Sequence, residues 1–137
     1  MIQSMLVASD GSKGGEKALA AALDLARTLG ARLDMVCVEE LPNFPTSIDE
    51  VVEEELEEAH RFAGLVEKAA AQAGGVPFRA HILKGHPVAA IVDFIKVQGY
   101  DLLVVGFMGH SALYDRIIGS TTDRLVKFAP CKVLVVK

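Results

Sequence analysis

Apolar positions in this chain follow two spacings that take turns. The run Met5-Leu6-Val7-Ala8 is continuous and short, as in a buried strand, whereas over 14–29 Ala18, Ala22, Leu25, Ala26 and Leu29 fall on one helical face. Asp10-Gly11-Ser12 separates the two segments, and Gly30 stands where a helix takes a left-handed terminator. A second strand is predicted over 33–38, and the loop after it carries Pro42 and Pro45. Ser47-Ile48-Asp49-Glu50 has the S-x-x-E form of a capping box, so a helix starts at Ile48. Its predicted inward stripe is Ile48, Val52, Leu56, Ala59, Phe62, Ala63, Val66 and Ala70, and it should be the longest helix.

After Gly74-Gly75, residues 78–83 alternate partly apolar and polar, as a strand near a sheet edge does. Pro87 suits the first turn of a helix whose core stripe is Val88, Ile91, Val92 and Ile95, with Gly99 closing it. Leu102-Leu103-Val104-Val105 reads as a strand buried on both faces. A helix over about 121–129, Pro130 as a stop and a strand over 131–136 complete the chain. The order β-α-β-α-β-α-β-α-β predicts an α/β fold, a single doubly wound parallel sheet with right-handed crossovers and helices on both faces. Ligands of such sheets bind beyond the carboxyl ends of the strands, where the strand order reverses.

Composition narrows the class. The 137 residues suffice for one domain with its own core, and 51% hydrophobic with 23% charged residues is a globular balance. A net charge of −4 with no basic cluster speaks against nucleic-acid binding. No stretch reaches the roughly 18 apolar residues of a membrane span, and the first ten residues lack the features of a signal peptide, so no membrane partner and a cytoplasmic location are expected. Cys37 and Cys131 read as small buried hydrophobes. The carboxylates Glu50, Glu53, Glu54, Glu55, Glu57 and Glu58 lie mostly opposite the apolar stripe and read as a solvated face; no metal site is expected there. His60, His81 and His86 read as surface residues.

The candidate chemistry lies in 101–122, where the fourth strand ends in Gly106 and further glycines follow at 109 and 119. Lacking a Cβ, glycine can take positive φ and let backbone N–H groups approach an anion. Ser120 and Thr121 come where a helix begins, and a helix N-terminus offers unpaired N–H groups to phosphate. Nucleotide binding is the expectation from these residues. Each has a plainer alternative: Asp10 as an Asx turn, Ser120 as an N-cap with Asp123 completing an S-x-x-D box, and the glycines as turn formers. A P-loop, a phosphoacceptor Asp after the third strand and a Ser-His-Asp order are all missing from the sequence. No catalytic residue is assigned, and the chain is not expected to be an enzyme.

The spacing Gly106-x2-Gly109-x9-Gly119-Ser120 resembles the ATP-binding subgroup of the universal stress proteins. The Asp10-Gly11-Ser12 turn, Gly85-His86-Pro87 and the ending Ala129-Pro130-Cys131-Lys132-Val133-Leu134-Val135-Val136 extend the resemblance over 1–137 as one such domain. It implies a five-stranded, Rossmann-like parallel sheet of order 3-2-1-4-5, with the loops after strands one and four flanking one crevice. It implies ATP, or AMP or ADP, with Mg²⁺, in a stress-response or regulatory role. Asp10 would contact adenosine, with Ala8 and Val38 near adenine. Gly106, Phe107, Gly109 and His110 would follow the ribose and phosphates, and Gly119, Ser120 and Thr121 would bond phosphate oxygens.

Two positions depart from the pattern: Phe107-Met108 makes the wall more apolar, and His110 stands where Lys or Arg is common, with Arg116 as a substitute cation beside Asp115. In the implied order Lys132-Val133-Leu134-Val135-Val136 is an edge strand, which predicts a homodimer paired through it. The alternatives are a nucleotide-free dimeric interaction module, its pocket filled by Phe107 and Met108, and a slow ATP hydrolase.

Overall fold

The computed structural model describes residues 1–40, 47–107 and 118–137. The apolar runs become parallel strands β1 (Ser4–Ala8), β2 (Arg32–Glu39), β3 (Phe78–Lys84), β4 (Leu102–Gly106) and β5 (Lys132–Val136), in the order β3-β2-β1-β4-β5. The helices between them are α1 (Lys13–Leu29), α2 (Ile48–Ala73), α3 (Pro87–Gln98) and α4 (Ser120–Phe128). The fold class and strand order are those expected. Successive side chains of a strand point to opposite faces, so Met5, Val7, Leu102 and Val104 pack under α1 and α2, whereas Leu6, Leu103 and Val105 pack under α3 and α4.

Short connections fix where the helices start and stop. Gly30 ends α1 at φ 65°, its N–H bonded to the carbonyl of Ala26, and Gly99 ends α3 in the same left-handed region. The predicted α3 stripe, Val88, Ile91, Val92 and Ile95, is buried. In α1 the buried face is Ala18, Leu19, Ala22, Leu23 and Ala26, while Leu29 is exposed in the last turn.

The stripe predicted for α2 needs correction. Phe62 is buried, but Ile48, Val52 and Leu56 are exposed and Ala69 and Ala73 take the inner positions. Length is the reason: 26 residues of helix span about 39 Å, whereas the seven residues of β3 span about 23 Å. The helix outruns the sheet, and its first half stands beyond the strands' carboxyl ends. Among the described residues no helix is long and apolar enough to cross a membrane.

At the opposite pole of the sheet, polar groups hold the strand starts. The Asp101 carboxylate accepts from the N–H groups of Gln3 (2.9 Å) and Ser4 (3.0 Å) and from the Ser4 hydroxyl (3.2 Å). Beside it Asp34, buried on β2, accepts from the Tyr100 hydroxyl at 2.7 Å, meets His81 Nε2 at 3.0 Å and lies 3.5 Å from Arg32. His81, half-exposed, is thus tied to a buried carboxylate.

Candidate functional site

The turn after β1 is built from one carboxylate and one hydroxyl. Asp10 Oδ1 accepts from the Ser12 N–H at 3.0 Å and from the Ser12 hydroxyl, while Gly11 takes φ +82° between them. Ser12 Oγ in turn accepts from the Gly15 N–H at 3.1 Å, so Ser12 is the N-cap and α1 starts at Lys13. Asp10 thus does form the Asx turn, and its carboxylate also lines the cleft described below.

Gly106 ends β4 against this helix start. A Cβ added there would stand 2.6 Å from the Gly14 carbonyl oxygen and 2.7 Å from its carbon. Close approach, rather than a left-handed φ, is why the position holds glycine, since positive φ among the described glycines occurs elsewhere. The buried Thr122 hydroxyl donates to the Gly106 carbonyl at 2.7 Å, fastening α4 to the end of β4. The Gly119 N–H donates to the Phe107 carbonyl (2.9 Å) and the Phe107 N–H to Val136 (2.8 Å).

Gly119, at φ −61° and ψ 147°, is the N-cap of α4, and no side chain caps this helix. Ser120 is its first helical residue, which corrects the S-x-x-D cap reading. The first helical bond is Asp123 N–H to Gly119 O at 2.9 Å, so the N–H groups of Ser120, Thr121 and Thr122 have no partner inside the helix. They stand at the positive end of its dipole.

These parts surround a cleft of about 450 Å³ at the carboxyl ends of β2, β1 and β4. Ala8, Asp10, Val38, Gly106, Gly119, Ser120 and Thr121, all singled out from the sequence, line it together. Phe107 is not among the lining residues; the Lys137 ammonium lies 5.4 Å from its ring centroid instead. Gly109 and His110, with Met108, Asp115 and Arg116, lie outside the described residues.

Sequence reasoning missed the wall that α2 provides. Glu58, Arg61 and Phe62 line the cleft near β2, with Glu40 beyond the strand's end. Burial, reinforced by Glu39, Glu40 and Glu54, raises the Glu58 carboxyl above its ordinary value of 4.5, against the lowering pull of Arg61. Thr122 and Leu125, one turn into α4, were also missed. Glu58, Arg61 and Phe62, at i, i+3 and i+4, share one face of α2, and the overhang of the helix rather than its periodicity brings that face to the cleft.

This fold, with a cleft at the carboxyl ends of its strands, defines a doubly wound, Rossmann-like α/β domain, and comparison with known proteins fixes the family. The Universal stress protein family matches residues 1–137, and the chain belongs to it. Universal stress protein YxiE of Bacillus subtilis is 32% identical over 149 residues, covering all of both chains. The solved structure of universal stress protein UspA from Lactobacillus plantarum has TM-score 0.85 and 26% identity, covering 99% of this chain and 98% of that one. A universal stress protein solved in complex with cAMP superposes with TM-score 0.77 at 23% identity, covering 99% and 97%.

Proposed function

We propose that this protein binds an adenine nucleotide in the cleft and serves as a nucleotide-dependent regulatory component of a stress response. The observation that supports the reading best is the meeting of three features on one cleft. They are the Asp10 turn, the β4 end at Gly106 and the open first turn of α4. The first turn of α4 supplies N–H donors and two hydroxyls to a phosphate group. Val36, Val38 and Ile91 supply apolar surface for a base, and Asp10 faces the space between for a ribose.

ATP is the proposed physiological ligand, with AMP or ADP as alternatives held by the same groups. Among the described residues no group of three or more carboxylate, His or Cys side chains could hold a metal ion. Mg²⁺ would therefore enter with the phosphates, whose oxygens supply its ligands. The role is binding rather than turnover, because the groups placed at the phosphate end are amides and hydroxyls. A universal stress protein of the same fold was solved in complex with cAMP, an adenine nucleotide, which supports the reading.

The test is to denature the purified protein, identify released nucleotide by mass spectrometry, and measure melting with ATP, ADP and AMP. Ligand at 100 times its Kd stabilises by about 2.7 kcal/mol. No released nucleotide and no melting shift with any of the three would overturn the reading. We further propose a homodimer paired through β5, a sheet edge on which Leu134 is 38% exposed. A monomer in sedimentation at tens of micromolar would exclude it.

A further inference from the structure

The two ends of the cleft differ in charge. At the α4 end, helix N–H groups and the hydroxyls of Ser120 and Thr121 favour an anion. At the β2 end stand Glu40 and Glu58, which repel one. Strand order separates the ends: β2 and β4 lie on either side of β1, about 10 Å apart at ordinary strand spacing. A phosphate held at α4 therefore leaves the β2 end to the uncharged, planar part of a ligand.

Arg61 occupies that second end. It is the only Lys, Arg or His among the described lining residues, it is exposed, and its guanidinium carbon lies 4.6 Å from the centroid of the buried Phe62 ring. No carboxylate among the described residues lies within ion-pairing distance of it, although Glu58 is one turn away. A guanidinium is planar and weakly hydrated, and it stacks on aromatic faces. Resting against the Phe62 ring in the lining of the cleft, it offers a planar cationic group to a base bound there.

We propose that Arg61 is the base-recognition residue of the cleft, its guanidinium packing between the Phe62 ring and the face of a purine. The inference rests on the nucleotide reading above. It assigns to α2 a part in specificity and gives the ligand one direction, base toward Glu40 and Glu58, phosphate toward Ser120. A purine, with two fused rings, offers the guanidinium more π surface than a pyrimidine. The neighbouring carboxylates accept from amino groups on the base edge.

The experiment measures dissociation constants for adenosine, AMP, ATP and CMP by calorimetry, in the wild type, Arg61→Ala and Arg61→Lys, with melting curves confirming that each variant is folded. Cation–π energies correspond to a weakening of roughly two- to thirtyfold. The expected result is an equal weakening of adenosine, AMP and ATP in Arg61→Ala, with no recovery in Arg61→Lys, which keeps the charge but not the plane. Wild-type protein should bind AMP more tightly than CMP. A loss that grows with phosphate number, or rescue by lysine, makes Arg61 a phosphate contact and overturns the proposal. Unchanged affinities in Arg61→Ala overturn it while leaving the nucleotide reading intact. Failure of the wild type to bind any of the four overturns both.

Discussion

The hydroxyl of Thr122 donates to the carbonyl of Gly106 at 2.7 Å, and on the other side of Gly106 the backbone of Gly14 fills the space a Cβ would need. One residue at the end of β4 thus meets the starts of both α1 and α4. The cleft depends on this junction, because three of the segments that line it meet there.

Replacing Thr122 by Val removes the donor and leaves the part-buried Gly106 carbonyl without it. An orphaned buried acceptor costs about 1–3 kcal/mol, which urea unfolding will measure. Thr122→Ser retains the hydroxyl and should recover most of that loss.

Gly106→Ala places its methyl against backbone rather than against a flexible side chain, so α1 must shift. Overpacking of this kind costs about 1–3 kcal/mol, read as a lowered midpoint with little change in slope. Gly30→Ala is the control for backbone strain alone, since nothing lies within 4 Å of a Cβ there and φ is +65°. Its expected cost is about 1–2 kcal/mol, and adenine-nucleotide affinity should be unchanged.

Tyr100 titrates late. Burial and its bond to Asp34 hold the phenol well above its ordinary value of 10.0. The folded state therefore keeps a proton that the unfolded chain gives up. This contribution is fully present below pH 10 and is lost as pH rises above it. Absorbance titration should show one of the two tyrosines ionising only with unfolding. Tyr100→Phe should remove that step and cost about 1.5–3 kcal/mol, as for a hydrogen bond to a charged acceptor.

Cys37 should resist alkylation. Burial, with Asp10 nearby and Arg61 acting in the opposite sense, pushes its thiol up to about 11. Iodoacetamide at pH 8 should label it on the timescale of opening, and Cys131, which is half-buried, sooner. Stability due to the raised thiol is complete below its ordinary value of 9.0 and is lost as pH rises through about 11. If both cysteines label at the same rate in folded protein, this account of Cys37 is wrong.

The sheet could be read from the sequence because strand and helix periods alternate cleanly, the first three helices stop at glycine and the fourth ends before Pro130. The 3-2-1-4-5 order came from the family resemblance, since the alternation alone allows several orders. At the site, Gly106, Gly119, Ser120 and Thr121 were legible from the end of the fourth strand and the glycine spacing, whereas Ala8, Asp10 and Val38 were singled out through the family resemblance. Arg61 and Phe62 were not, because their place depends on how far α2 overhangs the sheet, a tertiary distance that helical periodicity does not encode. The same overhang exposes Ile48, Val52 and Leu56. Ser120 misled as a cap because Gly119 carries the cap conformation itself. Asp34 and His81 sit too far apart in sequence for their contact to be foreseen.

The ladder between β1 and β4 is short, with three register pairs from Met5–Leu102 to Val7–Val104. Asp101 closes that seam at one pole by holding the N–H groups of Gln3 and Ser4. At the other pole the seam opens into the cleft. A nucleotide touching Asp10 on one side and Ser120 on the other would be a removable staple across it. The protein would then report its ligand as resistance to being pulled or digested apart, with no change of shape.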